Sequence, residues 1–240
     1  MRKLVRVLAW IVAVAALCFA AFKLYAYFSE TKEGDDSVEK LRELALSEGE
    51  GAPISVDFKA LQSENPDIIG WLYCEGTPIN YPIVQAEDNS YYLRRLTDGS
   101  YNANGTLFLD YRCSSDFTDF NCVVYGHRMK SKAMFGTLPE YAEQSYFEAH
   151  PVMYLLTPQA DYKVMLAAGF MTRADSDNYD PMDDSDTRQA FIDYATANSL
   201  FKSDVECTVN DSLLCLSTCS YEYENARLMI IGKLQRLADD

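Results

Sequence analysis

Apolar and polar positions divide the chain into three stretches. Residues 7–22 carry no charge, Lys23 interrupts, and 24–28 are apolar again. The 25 positions from 4 to 28 exceed the about 20 residues a membrane-spanning helix needs, and Lys23 can extend its stem to the interface. A secretory signal peptide has a shorter apolar region, about 7–15 residues, ending in a small-x-small cleavage site. An uncleaved anchor over 1–28 is therefore expected. Next comes an acidic stalk, 29–53, in which Val38, Leu41, Leu44 and Ala45 recur at helical spacing and predict a short amphipathic helix. The third stretch, 54–240, is long enough for one sizeable domain. It opens with a helix predicted over 57–64, with Asp57 as N-cap and Pro66 just beyond its end.

From residue 68 the period changes. Short apolar or aromatic runs lie at 68–73, 79–84, 106–111, 121–125, 152–156, 162–172, 212–218 and 228–234. The breaks between them include Gly76, Asn104-Gly105, Pro158 and Asn210-Asp211. Eight such runs without alternating helices predict a mainly β domain, a largely antiparallel barrel or sandwich. The exception is 186–201, where Ala190, Phe191, Tyr194, Ala195 and Ala197 form a helical stripe. The acidic segment 175–186 lacks the register and closing Glu of a calcium-binding EF-hand, so a solvated loop is expected there.

Charge narrows the function. With 36 acidic against 21 basic residues the net charge is -15, and a surface that tracks phosphates needs clustered Lys and Arg, so nucleic acid is excluded as a partner. The basic residues that do cluster, Arg2, Lys3 and Arg6, keep the N-terminus cytoplasmic by the positive-inside rule and place everything after residue 28 outside. Seven cysteines in an exported chain invite disulfides. The nearest pairing is Cys113 with Cys122, and buried free thiols are the alternative.

Only two histidines are present. His150 precedes Pro151, where a turn or packing role is expected. His127 follows the run 121–125 and Gly126, at the rim of a sheet. In DSLLCLSTCSYEYENAR, Leu213, Cys215, Ser217 and Cys219 share one strand face and Leu214, Leu216 and Thr218 the other. Cys219 ends that strand, and Arg227 opens the next apolar run. If the two strands are neighbours, guanidinium and thiol meet at one rim. A Cys, a His and an Arg there suit acyl transfer: thiolate attack, proton delivery and oxyanion stabilisation. An inert buried sulfur at Cys219 is the competing reading.

Four ordered blocks then carry a resemblance. NPDIIGWLYCEGTPINYPIVQAEDNSYYL (65–93), GTLFLDYR (105–112), VVYGHRMKSKAMFGTL (123–138) and LSTCSYEYENARL (216–228) resemble the successive motifs of class B sortases, over roughly residues 54 to 235. The resemblance implies an eight-stranded sortase-type β-barrel with N-terminal helices and a helix inserted between the sixth and seventh strands. It implies that Cys219 is the nucleophile, His127 the acid and base, and Arg227 the oxyanion and substrate clamp, with no cofactor or metal. Asn89, Leu93, Tyr179, Ser217 and Ser220 are implied as substrate contacts. The implied reaction cleaves a secreted protein's C-terminal sorting motif after Thr, forms a thioester, and transfers the protein to an amine of a lipid-linked peptidoglycan precursor at the cell membrane. Two departures from the pattern stand out: Cys215 occupies a usual Thr position, and Ser220 replaces an acidic residue often found after the nucleophile. The rival readings are a cysteine protease that resolves the thioester with water and a non-catalytic surface binding protein.

Overall fold

The structure, a computed structural model, describes residues 2–49, 51–220 and 224–238. The expected anchor and most of the expected stalk form a single helix, α1 (Arg2–Ala45, 44 residues), which crosses the expected division after residue 28 without a break. It is long and apolar enough to cross a membrane. The short stalk helix expected from Val38, Leu41, Leu44 and Ala45 is thus the end of this longer one. Leu41 and Ala45 are buried against the domain, while Leu44 points to solvent. After α1 the chain makes an antiparallel pair, β1 (Leu46–Glu48) with β2 (Ile54–Val56), and enters α2 (Phe58–Glu64). The Asp57 side chain accepts from the Ala60 amide at 3.0 Å, capping α2 as its sequence position predicts.

The eight runs form a closed barrel: β3 (Ile68–Tyr73), β4 (Asn80–Val84), β5 (Leu107–Leu109), β6 (Asn121–Tyr125), β7 (Val152–Leu156), β8 (Asp161–Arg173), β9 (Leu213–Cys219) and β10 (Ala226–Arg236). Around the barrel the order is β10-β8-β7-β3-β4-β5-β6-β9. The β4–β5 and β6–β9 pairs are parallel and the others antiparallel. A short helix, α3 (Gln144–Ala149), precedes β7, and α4 (Ser185–Ala197) joins β8 to β9, between the sixth and seventh barrel strands.

Strand alternation sorts the side chains into two apolar layers. Leu72, Ile83, Leu107, Val124, Leu166, Leu214, Leu216 and Ile230 fill the interior. On the outer face, Leu213, Cys215, Ala168, Phe170, Met229 and Ile231 are roofed by Phe191, Ile192 and Ala195 of α4. The two faces read from the β9 sequence are therefore the two faces observed. All seven cysteines are free thiols. Cys113 donates to the Asn121 carbonyl and Cys122 to that of Asp119, both at 3.4 Å. Burial pushes the thiols of Cys74, Cys122 and Cys215 up, and those of Cys113 and Cys207 up to about 11.

Candidate active site

Cys219 ends β9 on the outer face, half-buried, just beyond the residues that α4 covers. Its register partner on antiparallel β10 is Arg227. Directly opposed residues have Cβ atoms about 4.5–5.5 Å apart, so thiol and guanidinium belong to one patch. The local fold explains the pairing: with Met229 opposite Ser217 and Ile231 opposite Cys215, two residues of alternation bring Arg227 onto the same face. Arg227 Nη1 donates to the Ala226 carbonyl at 3.0 Å, which leaves other guanidinium donors for a bound group.

His127 arrives from β6, the neighbour of β9 on its other side. Tyr125 pairs with Ser217, and the Gly126 amide donates to the Ser217 carbonyl at 3.1 Å, so the chain leaves the sheet beside the end of β9. Glycine fits position 126 closely: a Cβ there would lie 2.4 Å from Leu107 Cδ2 and 2.6 Å from Phe135 Cδ2, so any side chain would force these neighbours to move. His127 Nε2 lies 2.7 Å from the Leu93 carbonyl oxygen. A carbonyl only accepts, so Nε2 carries the proton and Nδ1 is the nitrogen left to exchange one. His150 is engaged elsewhere, donating from Nδ1 to the Glu75 carbonyl at 3.1 Å and packing on Tyr146.

Cys219, His127 and Arg227 line one open cavity of about 500 Å³. Of the substrate contacts expected from sequence, Asn89, Leu93, Tyr179 and Ser217 line it too. Ser220 is not among the lining residues; it is buried, and its amide donates to the Ala226 carbonyl at 2.9 Å. The Tyr179 hydroxyl and Ser217 Oγ are 2.8 Å apart. Burial pushes the Tyr179 phenol up to about 12, against the opposing pull of the Ser217 hydrogen bond and the Arg227 charge. Residues 221–223 of the LSTCSYEYENARL block lie outside the described residues.

Behind the cavity is a network that sequence reasoning missed. Asp110 is 1% exposed and accepts from Asn89 Nδ2 (3.0 Å), the Tyr125 hydroxyl (2.9 Å), and Arg112 Nε and Nη2 (3.0 and 2.9 Å). Burial alone would raise this carboxyl's pKa; the hydrogen bonds from Arg112, Tyr125 and Asn89 outweigh it and hold the carboxyl below its usual range. Arg112 continues outward, donating to the Tyr179 carbonyl at 2.6 Å and to Asp180 at 3.3 Å. One guanidinium thereby straps the β8–α4 segment, with its exposed Asp175, Asp177 and Asp180, to the barrel as a cavity wall. Asn89 has both ends of its amide engaged, since Oδ1 accepts from the Tyr111 amide at 3.0 Å. The signal for this network was an aspartate inside an apolar run with an arginine two residues on, Leu109-Asp110-Tyr111-Arg112.

Elsewhere in the acidic segment, Asp175 pairs with Arg173 and Asp184 caps α4. Among the described residues, no cluster of three or more His, Cys, Asp or Glu side chains is arranged to hold a metal ion.

No family model matches the chain. It is 31% identical over 233 residues to sortase B of Listeria monocytogenes, covering 93% of this chain and 94% of that protein. Among solved structures it superposes on Bacillus anthracis sortase B in complex with AAEK1 with a TM-score of 0.77 and 32% identity, over 87% of this chain and 99% of that one. It superposes on the Staphylococcus aureus sortase B–substrate complex with a TM-score of 0.76 and 25% identity, over 88% and 100% of the two chains. A closed eight-stranded barrel, the helix between its sixth and seventh strands and this extent of identity lead to one conclusion: the chain belongs to the class B sortases, cysteine transpeptidases.

Proposed function

We propose that the chain cleaves a C-terminal sorting motif after Thr and joins the released protein to an amine of a peptidoglycan precursor. In the first half-reaction the Cys219 thiolate attacks the Thr carbonyl carbon. The tetrahedral oxyanion accepts hydrogen bonds from Arg227, and His127 protonates the departing amine as the C–N bond breaks, leaving a thioester. In the second half-reaction the acceptor amine attacks that thioester, His127 takes its proton, and Cys219 leaves as thiolate. The two halves balance in protons, so no cofactor is required.

The observation that carries this reading is the Cys219–Arg227 register pair, set in one cavity with a histidine whose Nε2 is committed to the Leu93 carbonyl. Asn89, Leu93, Tyr179 and Ser217 are read as the groove for the motif, and Ser220 as support for the end of β9. That a sortase B is solved as a substrate complex supports reading this cavity as a substrate groove. In this reading residues 1–28 anchor the chain with its N-terminus in the cytoplasm, 29–53 lead to the outer face, and 54–240 perform catalysis.

The test is mass spectrometry of the full chain with a library of Thr-containing peptides, with and without triglycine. A Cys219 adduct that passes to triglycine is expected. An adduct released only by water would make the enzyme a protease, and no adduct at all would overturn the assignment of Cys219.

A further inference from the structure

The excursion between β4 and β5 closes on itself. The Thr106 amide donates to the Tyr92 carbonyl, that of Asn102 to Arg94, and that of Leu96 to Ser100, so 92–106 is a compact unit rooted by buried Tyr92, Leu96, Asn102 and Asn104. This unit is where α1 meets the domain at its lowest point. Glu30 Oε1 accepts from the Ala103 amide at 2.7 Å, and its carbonyl accepts from Asn102 Nδ2 at 2.8 Å. One turn further, Gly34 lies against Asn104 so closely that a Cβ would stand 2.5 Å from its Nδ2. Glycine at that helical position lets the Asn104 side chain lie directly against the helix backbone.

Height follows from helix geometry. The apolar stretch ends at Phe28, and at about 1.5 Å per residue Glu30 is about 3 Å above it and Gly34 about 9 Å. The headgroup layer of one leaflet is about 5–7 Å thick, half the difference between the whole bilayer and its hydrocarbon core. The Asn102–Ala103 backbone therefore stands at headgroup depth. Beside it are the groups that favour that depth: Tyr101, 66% exposed, with Arg94 donating to its hydroxyl at 3.3 Å, and Arg95 stacked 4.6 Å over Tyr91. Exposed Tyr25 and Tyr27 on α1 belong to the same belt.

We infer that Tyr101, Arg94 and Arg95 form a membrane seat, embedded among phospholipid headgroups of the outer leaflet. The inference rests on α1 spanning the bilayer. It deepens the proposed function, because the seat and the site share one short unit: Leu93, between Tyr92 and Arg94, lines the catalytic cavity and holds His127 through its carbonyl. The seat thus fixes the cavity mouth at the surface where a lipid-linked amine is presented.

The test uses the full chain in nanodiscs of brominated phospholipid, read by tryptophan fluorescence. The two native tryptophans separate the arms, since Trp10 is in the span and Trp71 is fully buried in the domain. In the wild-type chain, quenching of Trp10 by bromines deep in the acyl chain reports the span. In Trp10→Phe/Tyr101→Trp, the introduced indole is expected to shift to the blue and to lose fluorescence with bromines near the headgroup end. Adding Arg94→Gln and Arg95→Gln is expected to weaken that loss. Trp10→Phe alone, with only Trp71 left, supplies the unquenched baseline. Quenching of Trp10 without any response at position 101 overturns the seat and leaves the anchor standing. Failure to quench Trp10 overturns both.

Discussion

Two halves of one strand face behave differently. Cys215 and Cys219 lie on the same side of β9, four residues apart, against the same neighbour β10. Cys215 has Ile231 opposite it and Phe191, Ile192 and Ala195 above it; it is 0% exposed, and burial pushes its thiol far up. Cys219 has Arg227 opposite it and a cavity above it. Sequence position and strand geometry are shared, so the difference lies in where the α4 roof stops and which side chain the register supplies. In the covered half a thiol is a small hydrophobe; in the open half it faces a cation and a histidine.

The sharpest way to break this comparison is to remove each thiol in turn. Cys219→Ala should reduce turnover by on the order of 10⁴-fold or more, measured as thioester formation and amine transfer. Cys215→Ala should leave turnover nearly intact and lower stability by about 1 kcal/mol through the lost packing, measured by denaturant titration. His127→Ala should cost about 10³-fold in rate, measured by the same assays of thioester formation and amine transfer. Arg227→Lys should cost about 10²-fold, because a point charge lacks the fork that reaches the oxyanion; full activity there would refute the clamp.

Smaller effects sharpen the account of the wall. Arg112→Met should release Tyr179 and Asp180 and raise KM by about tenfold, while Cys219 alkylates at the wild-type rate. Asp110 is the smallest and most specific case. Its carboxyl is held low in the folded chain, so its contribution to stability is complete above the unfolded carboxylate range and is lost as pH falls through the folded value. Acid unfolding of Asp110→Asn should show a shallower dependence on pH below about 4 than the wild-type chain.

Much of this architecture was legible because the period-two pattern is local. The limits of β3, β6 and β7 match the apolar runs residue for residue, and α4 begins one residue before the helical stripe read over 186–201 and ends four residues before its end. β5 is shorter than its run: the Asp110 amide still donates to the Val123 carbonyl of β6, but the Asp110 carboxylate turns into the buried network and the Tyr111 amide donates to Asn89 instead of to a strand. The parallel β4–β5 and β6–β9 pairs were not legible, since pairing between distant strands leaves no trace in either strand alone. The length of α1 was obscured by the change from apolar to acidic composition after residue 28, which read as a boundary; the helix runs on through Gly34, which packs on Asn104.

At the site, Cys219 and Arg227 were legible by alternation, and His127 by its place after Gly126. The Asp110–Arg112 strap was missed because its meaning depends on Tyr179, which lies 67 residues from Arg112 in the chain.

The central claim, that chemistry is confined to the uncovered end of β9, is tested most directly by pulsed alkylation of the native chain with peptide mapping and activity measured in parallel. The account predicts that labelling of Cys219 and loss of transpeptidation rise together, while Cys215 stays unlabelled until denaturant unfolds the barrel. Labelling of Cys215 ahead of Cys219, or full labelling of Cys219 with turnover intact, would contradict it.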